Sequence, residues 1–334
     1  MANIKLGITL YSFTKEYCEG SMTLEDCIRT AKEMGAEGFE IVATQMISSY
    51  PYISDEFLGE IKSICQNYDI EPVCYAANMD RGLRIDRHLT EDEMLQRAIT
   101  DVKSANKMGC KVIRQQFLLS PEGLVRLAPY AEAYDVKVGI EIHNPQSPND
   151  PLIRAYEDAI KASGSSYIGF VPDFGCFATK PNKPHWDEAI RNGANEKLLE
   201  MARDMRYEKV PFEEAQKKML VKGAKTVEMA ILQEMYAFLQ FKKDITEELE
   251  GLKRIMPYCF HMHGKFHYLY DNLEEASIPY EQILKVIHNS DYNGYIVSEY
   301  EDHESGRALE MTVRHQDMMR KILKKDSADN GNSR

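Results

Sequence analysis

The sequence predicts a single (β/α)8 barrel, and three observations carry that prediction. Eight strand-like runs are each followed by a helical segment, the order that builds a parallel sheet. Most of the runs begin about 26–40 residues apart, the period of one strand–helix unit. After the first strand the chain reads LYSFTKEY, without the glycine fingerprint that an open dinucleotide-binding sheet needs there.

IKLGITLYS (4–12) is the first strand, and TLEDCIRTAKEMG the amphipathic helix behind it. FEIVAT (39–44) is the second strand, before the helix EFLGEIKSICQNY. PVCYAA (72–77) is the third, and the helix that follows starts at Thr90, with Glu93 completing a capping box. KVIRQQ (111–116) precedes PEGLVRLAPYAEAY, and KVGIEIH (137–143) precedes PLIRAYEDAIKAS. YIGFVPDFG (167–175) is the sixth strand. Helices end at Gly35 and Gly109, as a left-handed C-cap demands. The pattern then breaks. Residues 178–257 hold helical segments and no strand, and read as an insertion before the seventh strand, not a second core. CFHMHGKF (259–266), the helix YEQILKVIHNS, GYIVSEY (294–300) and a helix of about 306–324 complete the barrel. One domain therefore spans 1–324, and the polar tail 325–334 is expected to be disordered.

Of 334 residues, 43% are hydrophobic, enough for a sizeable core, and the net charge is −12. An acidic chain lacks the basic footprint that a nucleic acid or an anionic lipid surface requires, so neither is expected as a partner. The start, MANIKLGITLYS, is unlike a secretory signal, and no apolar run is long enough to span a membrane. The seven cysteines are scattered without CxxC pairs, as in free thiols of a reducing compartment, so a cytoplasmic location is expected.

In such a barrel the reactive side chains sit at the C-terminal ends of the strands. Those ends offer Thr9, Tyr11 and Ser12; Glu40 and Thr44; Tyr75 and Asn78; Gln115 and Gln116; Glu141 and His143; Asp173; His261, His263 and Lys265; and Glu299 and Glu301. Glu141, Asp173, Glu299 and a histidine of the seventh strand form a carboxylate–imidazole set. Such a set suits Mn²⁺, Mg²⁺, Co²⁺ or Zn²⁺. Three carboxylates crowded together repel one another, and a divalent cation removes the conflict. Against this, a single strand-end carboxylate is more often a solvated rim residue, and a lone His143 could bond a loop carbonyl.

GIEIH, VPDFG, HMHGKF and SEY at successive strand ends resemble the xylose isomerase-like TIM barrels, a group that includes sugar epimerases and isomerases, inosose dehydratases and apurinic-site endonucleases. The resemblance implies one divalent metal held by Glu141, Asp173, His263 and Glu299, with His261 as the alternative histidine. The endonucleases use a three-metal cluster with further histidines, where this chain has Tyr75, Asn78, Gln115 and Gln116. Length, insertion and the Glu141-x-His143 pair resemble most the α subunits of bacterial C-glycoside deglycosidases. That likeness implies a metal, most often Mn²⁺, a smaller β subunit, and cleavage of the sugar–aglycone carbon–carbon bond of a flavonoid-type 3-oxo-C-glucoside. A C3 ketone acidifies the C2 proton, and a Lewis acid stabilises the enolate left when that proton goes. His143 is the expected base, two residues from Glu141 on the same strand face. Lys265, His261 and Gln115 are expected to contact substrate; for Lys265 a plain salt bridge to Glu301 or Asp173 is the competing reading. A metal-dependent sugar isomerase or epimerase, returning the proton in place of elimination, is the alternative function, and a non-catalytic scaffold barrel a third. The Met- and aromatic-rich VEMAILQEMYAFLQF reads either as a helix packed on the barrel or as a subunit interface.

Overall fold

The computed structural model describes residues 2–78, 80–116 and 119–331. Its eight strands are β1 (Asn3–Thr9), β2 (Gly38–Val42), β3 (Glu71–Asn78), β4 (Val112–Gln116), β5 (Lys137–Ile142), β6 (Ile168–Pro172), β7 (Met262–Phe266) and β8 (Asn293–Tyr300). They form one parallel sheet in the order β6-β5-β4-β3-β2-β1-β8-β7. The ring closes between β6 and β7 through parallel bridges at Phe170–Cys259 and Asp173–His263, and the Phe260 N–H donates to the Phe170 carbonyl at 3.1 Å. Gly169 makes that seam, because a Cβ there would strike the Tyr258 carbonyl and the Phe260 ring. The expected (β/α)8 barrel is the fold.

Register and alternation fix what faces the bore. Thr9 pairs with Glu40, Glu40 with Cys74, Ala76 with Arg114, Arg114 with Gly139, and Lys265 with Glu299. Neighbours in a parallel pair share a face and successive residues alternate. The intervening residues point into the helical layer: Ile8, Phe39, Ile41, Tyr75, Ile113, Ile140 and Ile142 are buried in the main core. Tyr75 therefore faces the helix Glu91–Met108, beside Asp101, and leaves the mouth to Asn78. The Thr90–Glu93 capping box starts that helix and Gly109, at φ 88°, ends it.

The insertion departs from the sequence reading. Its helices Lys183–Arg191, Glu196–Tyr207, Phe212–Val221 and Thr226–Ala237 enclose a small core of their own, with Ala202, Met205, Ala215, Met219, Leu232, Met235 and Phe241. These amphipathic helices bury their apolar faces on one another. The stretch read as packed on the barrel or as an interface divides accordingly: Leu232 and Met235 enter this core, while Phe238 is 65% exposed. A last helix, Thr246–Ile255, returns to the barrel wall, where Arg254 Nε meets the buried Glu157 carboxylate at 2.9 Å. The final helix, Ala308–Gly331, runs past Lys324 into the polar tail, which contains no proline to stop it. No helix among the described residues is long and apolar enough to cross a membrane.

Candidate metal centre

Strand parity delivers four residues to one point. Glu141 on β5, Asp173 just past β6, His263 on β7 and Glu299 on β8 are all buried, and each offers a ligand atom within 4.8 Å of the others. His263 Nδ1 lies 2.9 Å from Glu141 Oε1 and 3.2 Å from Glu299 Oε1. Its other nitrogen, Nε2, lies 3.0 Å from Glu40 Oε2. A carboxylate on the far side of a ligand imidazole fixes its tautomer and orientation. His261 is turned to Glu40 instead, 3.2 Å away, and stays outside the four-residue cluster.

The cluster suits a divalent cation. Both Glu141 oxygens, Asp173 Oδ2, Glu299 Oε2 and His263 Nδ1 are buried and make no well-aligned hydrogen bond among the described residues, although His263 and Lys265 approach the carboxylates closely. Buried polar atoms in that state are costly, and a cation at their centre satisfies them together. Three oxygens and one nitrogen suit Mn²⁺, Mg²⁺, Co²⁺ or Zn²⁺. Asp173 Oδ1 is held from behind by the Gly175 N–H at 2.7 Å. Residue 175 must be glycine, since a Cβ would meet that oxygen and the Lys265 stem.

Electrostatics agree with this geometry. Burial works to raise Glu141, but Arg114 and His263 bring it down to about 2. Burial likewise opposes Glu299 and Glu40, yet Glu299 is held well below the carboxylate range by His263 and Lys265, and Glu40 by His263 and His261. Asp173 goes the other way: burial raises it well above that range, against the pull of Lys265, and Glu299 adds repulsion. His263 keeps its proton well above the usual imidazole range; burial would remove it, but Glu299 and Glu40 hold it.

His143 lies just beyond β5, two residues from Glu141. Its Nδ1–H donates to the Asn144 carbonyl at 2.6 Å, so the Nε2 lone pair faces the bore. There it accepts from Lys265 Nζ at 2.7 Å. Lys265, 2% exposed, also meets Glu301 at 3.0 Å, Asp173 at 3.3 Å and Glu299 at 3.6 Å. The salt-bridge reading of Lys265 therefore describes its contacts, and those contacts place its charge inside the site. A narrow crevice of about 20 Å³, room for little more than a water, runs from His143 and Lys265 toward the insertion, past Lys180, Asn182, His267 and Leu239. Asn144 joins the two regions: its side chain donates to the Gly175 and Gln240 carbonyls and accepts from the Gln240 N–H.

Gln115 does not join them. It pairs with Ile140 on the face away from the bore, the parity opposite to Arg114. Arg114 is the residue that strand-end reading passed over. It is 4% exposed, with Nε 3.7 Å from Glu141 Oε1 and Nη1 donating to Asn78 Oδ1 at 2.8 Å. Its signal was a cation inside the apolar run Val112-Ile113-Arg114. Glu40 was visible at its strand end, but its link to His261 and His263 was not. His185, from the insertion, is held there by Glu234 at 2.7 Å.

Residues 28–202 match the family model described as xylose isomerase-like TIM barrel. The chain is 31% identical to the 3'-dehydrocarminate deglycosidase alpha subunit of a Microbacterium species, over 98% of this chain and 97% of that one. It is 32% identical to a C-glycoside deglycosidase alpha subunit of Arthrobacter globiformis, over 90% and 86% of the two chains. Among solved structures, IOLI protein with a bound zinc atom superposes with a TM-score of 0.57 at 12% identity, over 96% of this chain and 98% of that one, a likeness of fold.

Proposed function

The chain belongs to the xylose isomerase-like TIM-barrel family, and from that premise we propose that it is the catalytic α subunit of a deglycosidase that breaks the carbon–carbon bond of 3-oxo-C-glucosides. One observation carries the reading. In a chain whose relatives are named deglycosidase α subunits, an imidazole lone pair stands two residues along the strand from Glu141, beside a buried cluster built to hold a cation.

Glu141, Asp173, His263 and Glu299 hold the ion, Mn²⁺ by preference. When bound it supplies Lewis-acid stabilisation of the charge that develops at the substrate's C3 oxygen. His143 Nε2 takes the proton from C2, while the Asn144 carbonyl keeps the Nδ1 proton in place. Lys265 turns from His143 to a substrate oxygen as C2 arrives, its charge kept by Asp173 and Glu301. The electron pair released from the C2–H bond forms C1=C2. The bond from C1 to the aglycone breaks, and its pair takes a proton at the aglycone carbon, which balances the proton that His143 removed from C2. The sugar leaves as an unsaturated ketone. The aglycone is of the flavonoid type, and a smaller β subunit completes the complex in the cytoplasm.

Incubation with a 3-oxo-C-glucoside and Mn²⁺, with and without a candidate β subunit, tests this. Free aglycone is expected with both subunits present. A rearranged sugar with its carbon–carbon bond intact would instead make the protein an isomerase or epimerase.

A further inference from the structure

One layer deeper in the bore lies a second set of ligand atoms that the reaction does not use. Glu40 and Cys74 are register partners on β2 and β3, and His261 approaches from the start of β7. Glu40 and Cys74 are 0% exposed and His261 is 1% exposed, and each presents a ligand atom within 4.8 Å of the other two. Neither Glu40 Oε1 nor His261 Nε2 makes a well-aligned hydrogen bond among the described residues. Cys74 is a free thiol. Glu40 is divided in its duties. Oε2 faces His263 Nε2 at 3.0 Å and His261 Nε2 at 3.2 Å, and the carboxylate also faces the Cys74 thiol.

We propose that Glu40, Cys74 and His261 form a second cation site, selective for a thiophilic divalent ion of the Zn²⁺ or Co²⁺ class. The donor chemistry sets the class. A thiolate, an imidazole and a carboxylate are the mixed soft and borderline ligands of tetrahedral zinc sites, whereas the upper cluster has three carboxylates and no sulfur. Charge closes as well. The ion displaces the Cys74 proton, and thiolate plus carboxylate then match its two positive charges away from water. Glu40 ties the two levels together, since the ion takes Oε1 while Oε2 stays on His263. The lower ion thereby fixes the residue that orients the upper site's only nitrogen ligand, which makes its role one of positioning.

The test uses the full chain stripped of metal and titrated with Co²⁺ alone. Two equivalents are expected to bind, one of them with the near-ultraviolet thiolate-to-cobalt charge-transfer band. Mn²⁺ is expected to bind as a single equivalent, at the upper site. Cys74→Ser should abolish the band and keep one equivalent of Co²⁺, while Glu141→Ala should keep the band. X-ray absorption of the zinc-loaded wild type covers the case in which Cys74→Ser does not fold, with a sulfur expected at about 2.3 Å from zinc. A single equivalent of Co²⁺ without the band, a band that survives Cys74→Ser, or a zinc shell without sulfur would overturn the proposal and leave a thiol beside a carboxylate and nothing more. None of these readouts depends on turnover, so the deglycosidase reading stands or falls separately.

Discussion

Arg114→Met is the perturbation that tests the electrostatic account of the site most directly. Arg114 and Glu141 are both buried, with Nε 3.7 Å from Oε1. At an effective dielectric of about 20, opposite unit charges at that separation attract by roughly 4–5 kcal/mol. Methionine keeps most of the stem volume and removes the charge, leaving the Glu141 carboxylate to His263 and the more distant Lys265. Breaking a buried pair from one side costs about 3–5 kcal/mol, because the surviving charge stays desolvated. The metal-free variant should lose stability of that order in urea unfolding. A divalent ion at Glu141 supplies the missing positive charge, so saturating Mn²⁺ should shrink the gap between variant and wild type by at least half. Arg114→Lys, which keeps the charge, should fall between them. A metal-free loss below about 1 kcal/mol, or a gap that metal leaves unchanged, would refute the idea that Arg114 balances the ligand carboxylates.

The remaining predictions concern the ligands, pH and the barrel seam. Glu141→Ala and Glu299→Ala should each lose the bound divalent ion by metal analysis of the purified protein; retention in both would remove the metal centre. His143→Ala should keep the ion and lose turnover by about 100-fold or more, the contribution of a positioned base, and an active variant would exclude His143 from that role. In the metal-free protein His263 and Asp173 hold protons above their ordinary ranges, and a cation must displace both. Affinity should therefore rise with pH, by up to about tenfold per pH unit for each proton released, and calorimetric Mn²⁺ titrations at several pH values would show it. A dissociation constant flat between about pH 6 and pH 8 would contradict this. The same shifts give a sign for stability: a raised folded-state pKa stabilises the metal-free protein below the unfolded value. For His263 that gain is lost as pH rises from the ordinary imidazole range through its raised value. Gly169→Ala should open the β6–β7 seam and destabilise the fold by several kcal/mol in urea unfolding, because its Cβ meets the backbone carbonyl of Tyr258; a near-neutral result would show that the seam can shift.

Several features were legible before any tertiary structure. The strand–helix period determined the barrel, and the rule that barrel chemistry collects at strand ends brought Glu141, Asp173, His263, Glu299, His143 and Lys265 onto one short roster. Reading strand ends as a group, however, ignores parity, and parity decides the side chain's direction. Gln115 and Tyr75 occupy strand-end positions and turn into the helical layer, whereas Arg114, one residue earlier than Gln115, turns inward to Glu141. The insertion's separate core was hidden for a related reason: helical periodicity marks an apolar face without saying which neighbour covers it.

The sequence by itself determined the fold and the types of side chain at the mouth, because both follow from local periodicity. Tertiary structure alone decided which of those side chains meet. His261 and His263 share a strand face, and the bore assigns one to Glu40 and Cys74 and the other to the four-ligand cluster. Such choices depend on register between strands far apart in the chain, on the closure at Gly169 and on the depth of each residue in the barrel, and all three are set by packing across the ring.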